Sequence, residues 1–300
     1  MARIAFIGLG HMGGGMAPNL AKAGHDVRAF DLVPEAVRQA QEAGCKAASS
    51  AADAVKDADV VITMLPAAKH VRTVYHDDVA ANAQPGTLLI DCSTIDVQST
   101  LEVGEGLSEL GFEFLDAPVS GGIAAAAGGA LTFMVGGTNG GFERARPILE
   151  PMAKAVIHAG RLGAGQAAKI CNNMILGATM AATCEAFVLA QKLGLDASVF
   201  FDISSMASGQ SWSMTSYCPV PGVGPETPAD RNYEGGFAAA LMLKDLKLAA
   251  DAARQVGAYT PMGAQAEELY QRLVDEGCGN KDFSAIIKMI GENARSPVQQ

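Results

Sequence analysis

Four groups of residues in this 300-residue chain have types and spacings that could do chemistry. The first is Gly8-Leu9-Gly10-His11-Met12-Gly13. It follows a short apolar run and opens a helix-like segment, the setting in which a G-x-G-x-x-G turn binds a dinucleotide. Gly8 permits a tight turn, Gly10 lets the backbone approach a pyrophosphate, and Gly13 lets the helix pack close to the sheet. The helix N-terminus adds N–H donors and positive potential for the phosphates. The plainer reading is a glycine-rich turn with no ligand, and the joint fit of strand, glycines and helix weighs against it. Asp31 lies eighteen residues after Gly13. An acid there accepts hydrogen bonds from a ribose 2′-hydroxyl and repels a 2′-phosphate, so the expected cofactor is NAD. Neither Leu32 nor Val33 could hold a phosphate, and Arg28 comes three residues too early. The plainer role of Asp31 is a cap before Pro34.

The second group is Asp116-Ala117-Pro118-Val119-Ser120-Gly121-Gly122. It ends a strand, at the sheet edge where ligands bind. Ser120 offers a hydroxyl, while Gly121 and Gly122 can present N–H groups to a carboxylate. An ordinary turn would look the same. The third is Lys169 with Asn173, four residues apart on one helix face. Among Ala167, Ala168, Ile170 and Cys171 the lysine would be partly desolvated, which suits proton transfer. The alternative is a lysine that snorkels to water. The fourth is Lys244-Asp245, which with Lys247 and Asp251 also reads as a solvated charged stripe.

These residues need a scaffold. About half the chain is hydrophobic (49%) and 18% is charged, enough apolar material for a packed core. A net charge of -10 argues against nucleic acid or an anionic membrane as partner. The N-terminus has no basic segment leading into an apolar stretch, so no signal peptide is expected, and no stretch reads as a membrane span. Six cysteines without C-x-x-C spacing read as reduced cytoplasmic thiols, and five scattered histidines offer no metal set. Residues 3–7, 26–30, 60–64, 87–91 and 112–116 read as buried parallel strands. Helical stretches at 12–23, 34–43 and 96–110 lie between them, the last with Thr94 as its expected cap. This rhythm predicts an α/β fold with a doubly wound, Rossmann-type sheet over residues 1–163.

From 165 to 193 the chain reads as one long helix buried on all sides. It leads into an all-helical domain over residues 164–300, with helices at 197–206, 237–256, 261–276 and 283–290. Prolines 219, 221, 225 and 228 make 217–233 a long loop. A helix that apolar in a chain this small packs against another subunit, so a homodimer or homotetramer is expected.

Taken in order, the glycine turn, Met64-Leu65-Pro66, Cys92-Ser93-Thr94, Asp116 to Gly122, and Gly165-Gln166-Ala167-Ala168-Lys169-Ile170-Cys171-Asn172-Asn173 form a specific pattern. Over nearly the whole chain it resembles the β-hydroxyacid dehydrogenase family. The resemblance implies that Lys169 is catalytic and that Ser120, Gly121, Gly122 and Asn173 hold a small 3-hydroxy carboxylate. It also implies that Leu65, Pro66, Thr94 and Lys244 line the NAD site, with Trp212, Phe237 and Asp245 around the substrate. His11 departs from the Asn common in the family. The segments 208–213, 217–222 and 233–237 are similar to the branch that oxidises 3-hydroxyisobutyrate to methylmalonate semialdehyde in valine breakdown. That branch includes serine-oxidising relatives, and a tartronate semialdehyde reductase is a further alternative. A non-catalytic NAD-binding regulator would have lost Lys169 or Asn173, and both are present. No Tyr-x-x-x-Lys occurs, as a short-chain dehydrogenase would need.

Overall fold

Runs of β-branched and apolar residues form the strands β1 (Arg3–Ile7), β2 (Asp26–Phe30), β3 (Lys46–Ala47), β4 (Val60–Thr63), β5 (Leu88–Asp91), β6 (Glu113–Asp116), β7 (Val119–Ser120), β8 (Leu131–Gly136) and β9 (Ala153–Gly160). The computed structural model describes residues 1–293. Contacts divide it into two units, Met1–Lys169 and the chain from Ile170. The strands form one sheet in the order β3-β2-β1-β4-β5-β6-β8-β7, with β9 paired to β8. Pairing is parallel from β3 through β6. At the far edge β8 runs antiparallel to β6 and β7. The sheet is therefore mixed rather than wholly parallel. Residues 121–130 between β7 and β8 are too few for the long crossover that parallel neighbours need.

Side chains alternate across the sheet. Ile4, Phe6, Ile62 and Ile90 enter one core, and Ala5, Ile7, Val61 and Leu89 enter the other. Both faces are covered at the centre of the sheet, which is why β4 and β5 are buried along their whole length. The covering helices include α1 (Gly13–Lys22), α2 (Pro34–Glu42), α3 (Val97–Glu109) and α4 (Asn139–Leu149). Thr94 is not the cap of α3. Asp96 takes that place, its Oδ1 accepting the Ser99 N–H at 2.7 Å.

The long helix α5 (Ala164–Lys192) runs from the first unit into the second, which adds α6 (Ala197–Ser204), α7 (Ala239–Val256), α8 (Pro261–Leu273) and α9 (Ile286–Asn293). Met180, Cys184, Met242, Leu246, Tyr270 and Phe283 form its core. The proline-rich loop includes a 3-10 turn at Pro228–Arg231, started by a Thr227–Asp230 capping box. Helix α5 is not buried on all sides. Cys171, Ile175, Ala182, Glu185, Leu189 and Lys192 form an exposed stripe along it. Composition averaged around a helix cannot reveal a stripe made of Ala, Ile and Leu. Among the described residues α5 is the one helix long and apolar enough to cross a membrane. It nevertheless buries the polar side chains of Gln166, Lys169, Asn173 and Thr183.

Candidate active site

The glycine turn sits at the C-terminal end of β1, where strand order reverses between β2 and β4 and open α/β sheets bind their ligands. Gly8 has φ +96°, and a Cβ there would lie 2.3 Å from the Met64 carbonyl oxygen. A Cβ on Gly13 would lie 1.9 Å from the Gly8 oxygen, so α1 can start this close to the strand only with glycine. Around Gly10 nothing lies within 4 Å of that position. Open space beside the exposed Gly10 and the leading amides of α1 fit a pyrophosphate.

Asp31 follows β2 and faces this turn. Its Oδ2 accepts the Leu9 N–H at 2.6 Å and its Oδ1 accepts the Val33 N–H at 2.8 Å. The residue capping α2 is Val33, which makes no side-chain cap bond. Asp31 thus braces the glycine turn while remaining part-exposed. Beside it Leu32 and Val33 expose large apolar side chains to water, a surface that suits the flat face of an adenine.

The loops after β4 and β5 are tied to each other. Asp91 Oδ1 accepts the Thr63 hydroxyl at 2.7 Å and the Ser93 hydroxyl at 2.5 Å. Ser93 Oγ in turn accepts the Leu65 N–H at 2.8 Å. Leu65, Pro66 and Thr94, the residues expected to line the cofactor, therefore stand on a buried polar network rather than on loose loops.

Asp116, the last residue of β6, reaches the start of α5. Its Oδ1 accepts the Gly163 N–H and its Oδ2 the Gln166 N–H, both at 2.8 Å. A Cβ on Gly165 would lie 2.2 Å from the Met134 oxygen and 2.8 Å from Asp116 Oδ2, so α5 is pressed against the sheet edge. Burial pushes the Asp116 carboxyl up to about 6, against the pull of these donors. One turn further along α5, Lys169 is 8% exposed. It does not snorkel. On the neighbouring loop Gly121 has φ +140° and Gly122 φ +77°, both conformations that favour glycine. A Cβ at Gly122 would meet nothing within 4 Å, which leaves its backbone accessible.

The second unit carries the other expected residues. Asn173 is buried and its Nδ2 donates to Asp245 Oδ2 at 2.5 Å. Asp245 on α7 therefore orients Asn173. The supposed charged stripe divides: Asp245 is buried and Lys244 half-buried, whereas Lys247 and Asp251 are exposed. Trp212 stacks on Tyr217 with centroids 4.7 Å apart, and Tyr217 stacks on Phe283 at 5.5 Å. Buried Asp282 holds this group together, accepting the Tyr217 hydroxyl at 2.9 Å and the Phe237 N–H at 2.8 Å. Asp282 went unnoticed in the sequence because its partners are 45 and 65 residues away.

The chain as a whole is similar to known proteins. Residues 3–160 match the family described as the NAD binding domain of 6-phosphogluconate dehydrogenase. Residues 163–290 match that described as NAD-binding of NADP-dependent 3-hydroxyisobutyrate dehydrogenase. The chain is 50% identical to an NAD-dependent L-serine dehydrogenase of Pseudomonas aeruginosa, over 96% of this chain and 98% of that protein. It is 48% identical to a 3-hydroxyisobutyrate dehydrogenase of the same organism, over 96% and 98%. The 3-hydroxyisobutyrate dehydrogenase of Mycobacterium tuberculosis, solved with L-serine, superposes with a TM-score of 0.92 at 49% identity, covering 99% of this chain and 100% of that one. The cofactor is NAD. With a glycine turn and acid that fit a dinucleotide and a buried lysine on the linking helix, the chain belongs to the β-hydroxyacid dehydrogenase family as an NAD-dependent hydroxyacid dehydrogenase.

Proposed function

We propose that the chain oxidises 3-hydroxyisobutyrate to methylmalonate semialdehyde, a step of valine breakdown, in the cytoplasm. The observation that carries this reading is the burial of Lys169 on α5, one turn before the buried, oriented Asn173. A buried amine beside a substrate hydroxyl is matched to proton transfer. NAD, when bound, accepts the hydride released from the carbinol carbon. Lys169 takes the hydroxyl proton as that carbon becomes a carbonyl, and returns it in the reverse direction. Ser120 and the N–H groups of Gly121 and Gly122 hold the carboxylate, with Asn173 as a further anchor. On the cofactor side Gly8 to Gly13 hold the pyrophosphate and Asp31 the adenosine ribose. Leu65, Pro66, Thr94 and Lys244 line the remainder.

L-serine is the rival substrate, favoured by the identity to an L-serine dehydrogenase and by the serine in the mycobacterial structure. The two molecules share a 3-hydroxypropanoate skeleton and differ by a methyl or an ammonium on the middle carbon. Trp212 and Phe237 present apolar surface suited to the methyl. Asp245 is the acid an ammonium would seek, but Asn173 already engages one of its oxygens. This balance supports the methyl-bearing substrate. The test is a panel of NAD-linked initial rates on 3-hydroxyisobutyrate, L-serine, glycerate and 3-hydroxypropionate, run beside Lys169→Ala. The highest kcat/KM is expected for 3-hydroxyisobutyrate. Lys169→Ala should lower kcat by about 10²–10⁴-fold while NAD still binds. Serine ranking first would move the chain to the serine branch, and a near-normal Lys169→Ala would remove the catalytic assignment.

A further inference from the structure

We propose that Gln166 is a positioning residue that fixes the Thr94 loop against the lysine-bearing helix. This deepens the reading above and rests on it. Gln166 is 0% exposed. Its side-chain amide brackets Thr94: Nε2 donates to the Ser93 carbonyl at 2.7 Å, and Oε1 accepts the Ile95 N–H at 3.2 Å. Its own backbone N–H is held by Asp116. Lys169 follows three residues later, on the same helix face. The cofactor loop and the catalytic amine are thereby set in one register, within the first unit. The loop end of the bracket is itself anchored, because Ser93 bonds to Asp91, and Thr63 bonds to both Asp91 and Tyr75. Every member of this chain of bonds except Thr94 is buried. In such surroundings hydrogen bonds are strong and hold the groups they join in place.

Merely starting the helix would not require this amide. Asp116 already accepts the Gly163 and Gln166 backbone donors, and the Gln166 side chain spends both its groups on the loop. What the amide controls is how far the Thr94 backbone stands from Lys169. A hydride step tolerates little error there, and a misplacement of about 1 Å costs on the order of a hundredfold in rate.

The experiment is Gln166→Met, which keeps the length of the side chain and removes both bonds. Initial rates are measured with 3-hydroxyisobutyrate carrying hydrogen or deuterium at the carbinol carbon, with NAD affinity by titration and melting temperature alongside. kcat should fall by roughly tenfold to a hundredfold and the primary isotope effect should rise, with substrate KM and NAD Kd within about threefold of the parent. If Gln166→Met does not fold, Gln166→Ala carries the same test, since alanine favours the helix and leaves room for water. An unchanged kcat and isotope effect with a lowered melting temperature would make Gln166 structural and overturn the proposal. A change confined to KM or Kd would overturn it too. Lys169→Ala in the same assay separates the two levels: if it stays active, the underlying catalytic reading fails, whereas an inactive Lys169→Ala beside a fully active Gln166→Met defeats the positioning role alone.

Discussion

On the proposed reading, one Asp31 carboxylate serves both the glycine turn and the adenosine ribose. Its oxygens already hold the Leu9 and Val33 N–H groups, so it shapes the glycine turn before any ribose arrives. Each carboxylate oxygen has a second lone pair, so accepting from a 2′-hydroxyl costs neither existing bond. A 2′-phosphate would place negative charge against an acid already locked in position. NAD should therefore be preferred to NADP by roughly tenfold or more in kcat/KM, about 1.4 kcal/mol. Asp31→Asn keeps one acceptor for the turn and removes the charge, so the preference should narrow mainly through better use of NADP. Parallel kinetics with both cofactors check this, and equal rates in the parent enzyme would defeat it.

The contact between Asp116 and α5 belongs to the scale of elements, since it joins β6 to the helix that bears Lys169. Its carboxyl is pushed up to about 6 because burial penalises the charge more than two backbone donors stabilise it. A carboxyl whose value is higher folded than unfolded binds its proton more tightly in the folded state. Its contribution to stability is complete below the unfolded value near 4, and is lost as pH rises through 6. The loss approaches about 3 kcal/mol, at about 1.4 kcal/mol for each pH unit between about 4 and about 6. In denaturant unfolding between pH 4 and pH 8, the parent should lose stability relative to Asp116→Asn by about that amount as pH rises. Two parallel profiles would show that Asp116 does not titrate in this window.

Such elements were unevenly legible in the sequence. Strands β1, β4, β5 and β6 announce themselves because nearly all of their residues are buried, and β2 because buried Val27 and Ala29 alternate with part-buried neighbours. Strands β8 and β9 were missed. In β9 only partly buried and exposed residues occur, so Ala153–Gly160 has no apolar signature. The glycine turn and Asp31 could be placed because their partners are close in sequence or fixed by the βαβ repeat. The bonds of Gln166 to Ser93 and Ile95 span 73 and 71 residues, and those of Asp116 span 47 and 50. No local period encodes contacts of that kind, so the second layer of the site had to come from the fold.

At the scale of the whole molecule, the exposed apolar residues of the second unit argue for self-association. Ile175 and Leu189 project from the open stripe of α5, Leu193 follows it, and Val199 and Ile203 are exposed on α6, with Met206 just beyond. Helix α6 buries none of its residues fully in the single chain, although five of its eight are Ala, Val, Phe or Ile. Apolar side chains grouped on neighbouring elements mark an interface more often than a free surface. Each one fully buried would contribute about 1.5–3 kcal/mol, and because every copy brings the same side chains, together they work against the several kcal/mol that association costs. Light scattering should give a mass of two or four chains of 30.9 kDa. Leu189→Glu with Ile203→Glu should lower that mass without unfolding the protein, because neither side chain is part of its cores. A parent enzyme that runs as a monomer at tens of micromolar, or a charged double variant that keeps the full assembly, would show that this face is not where copies meet.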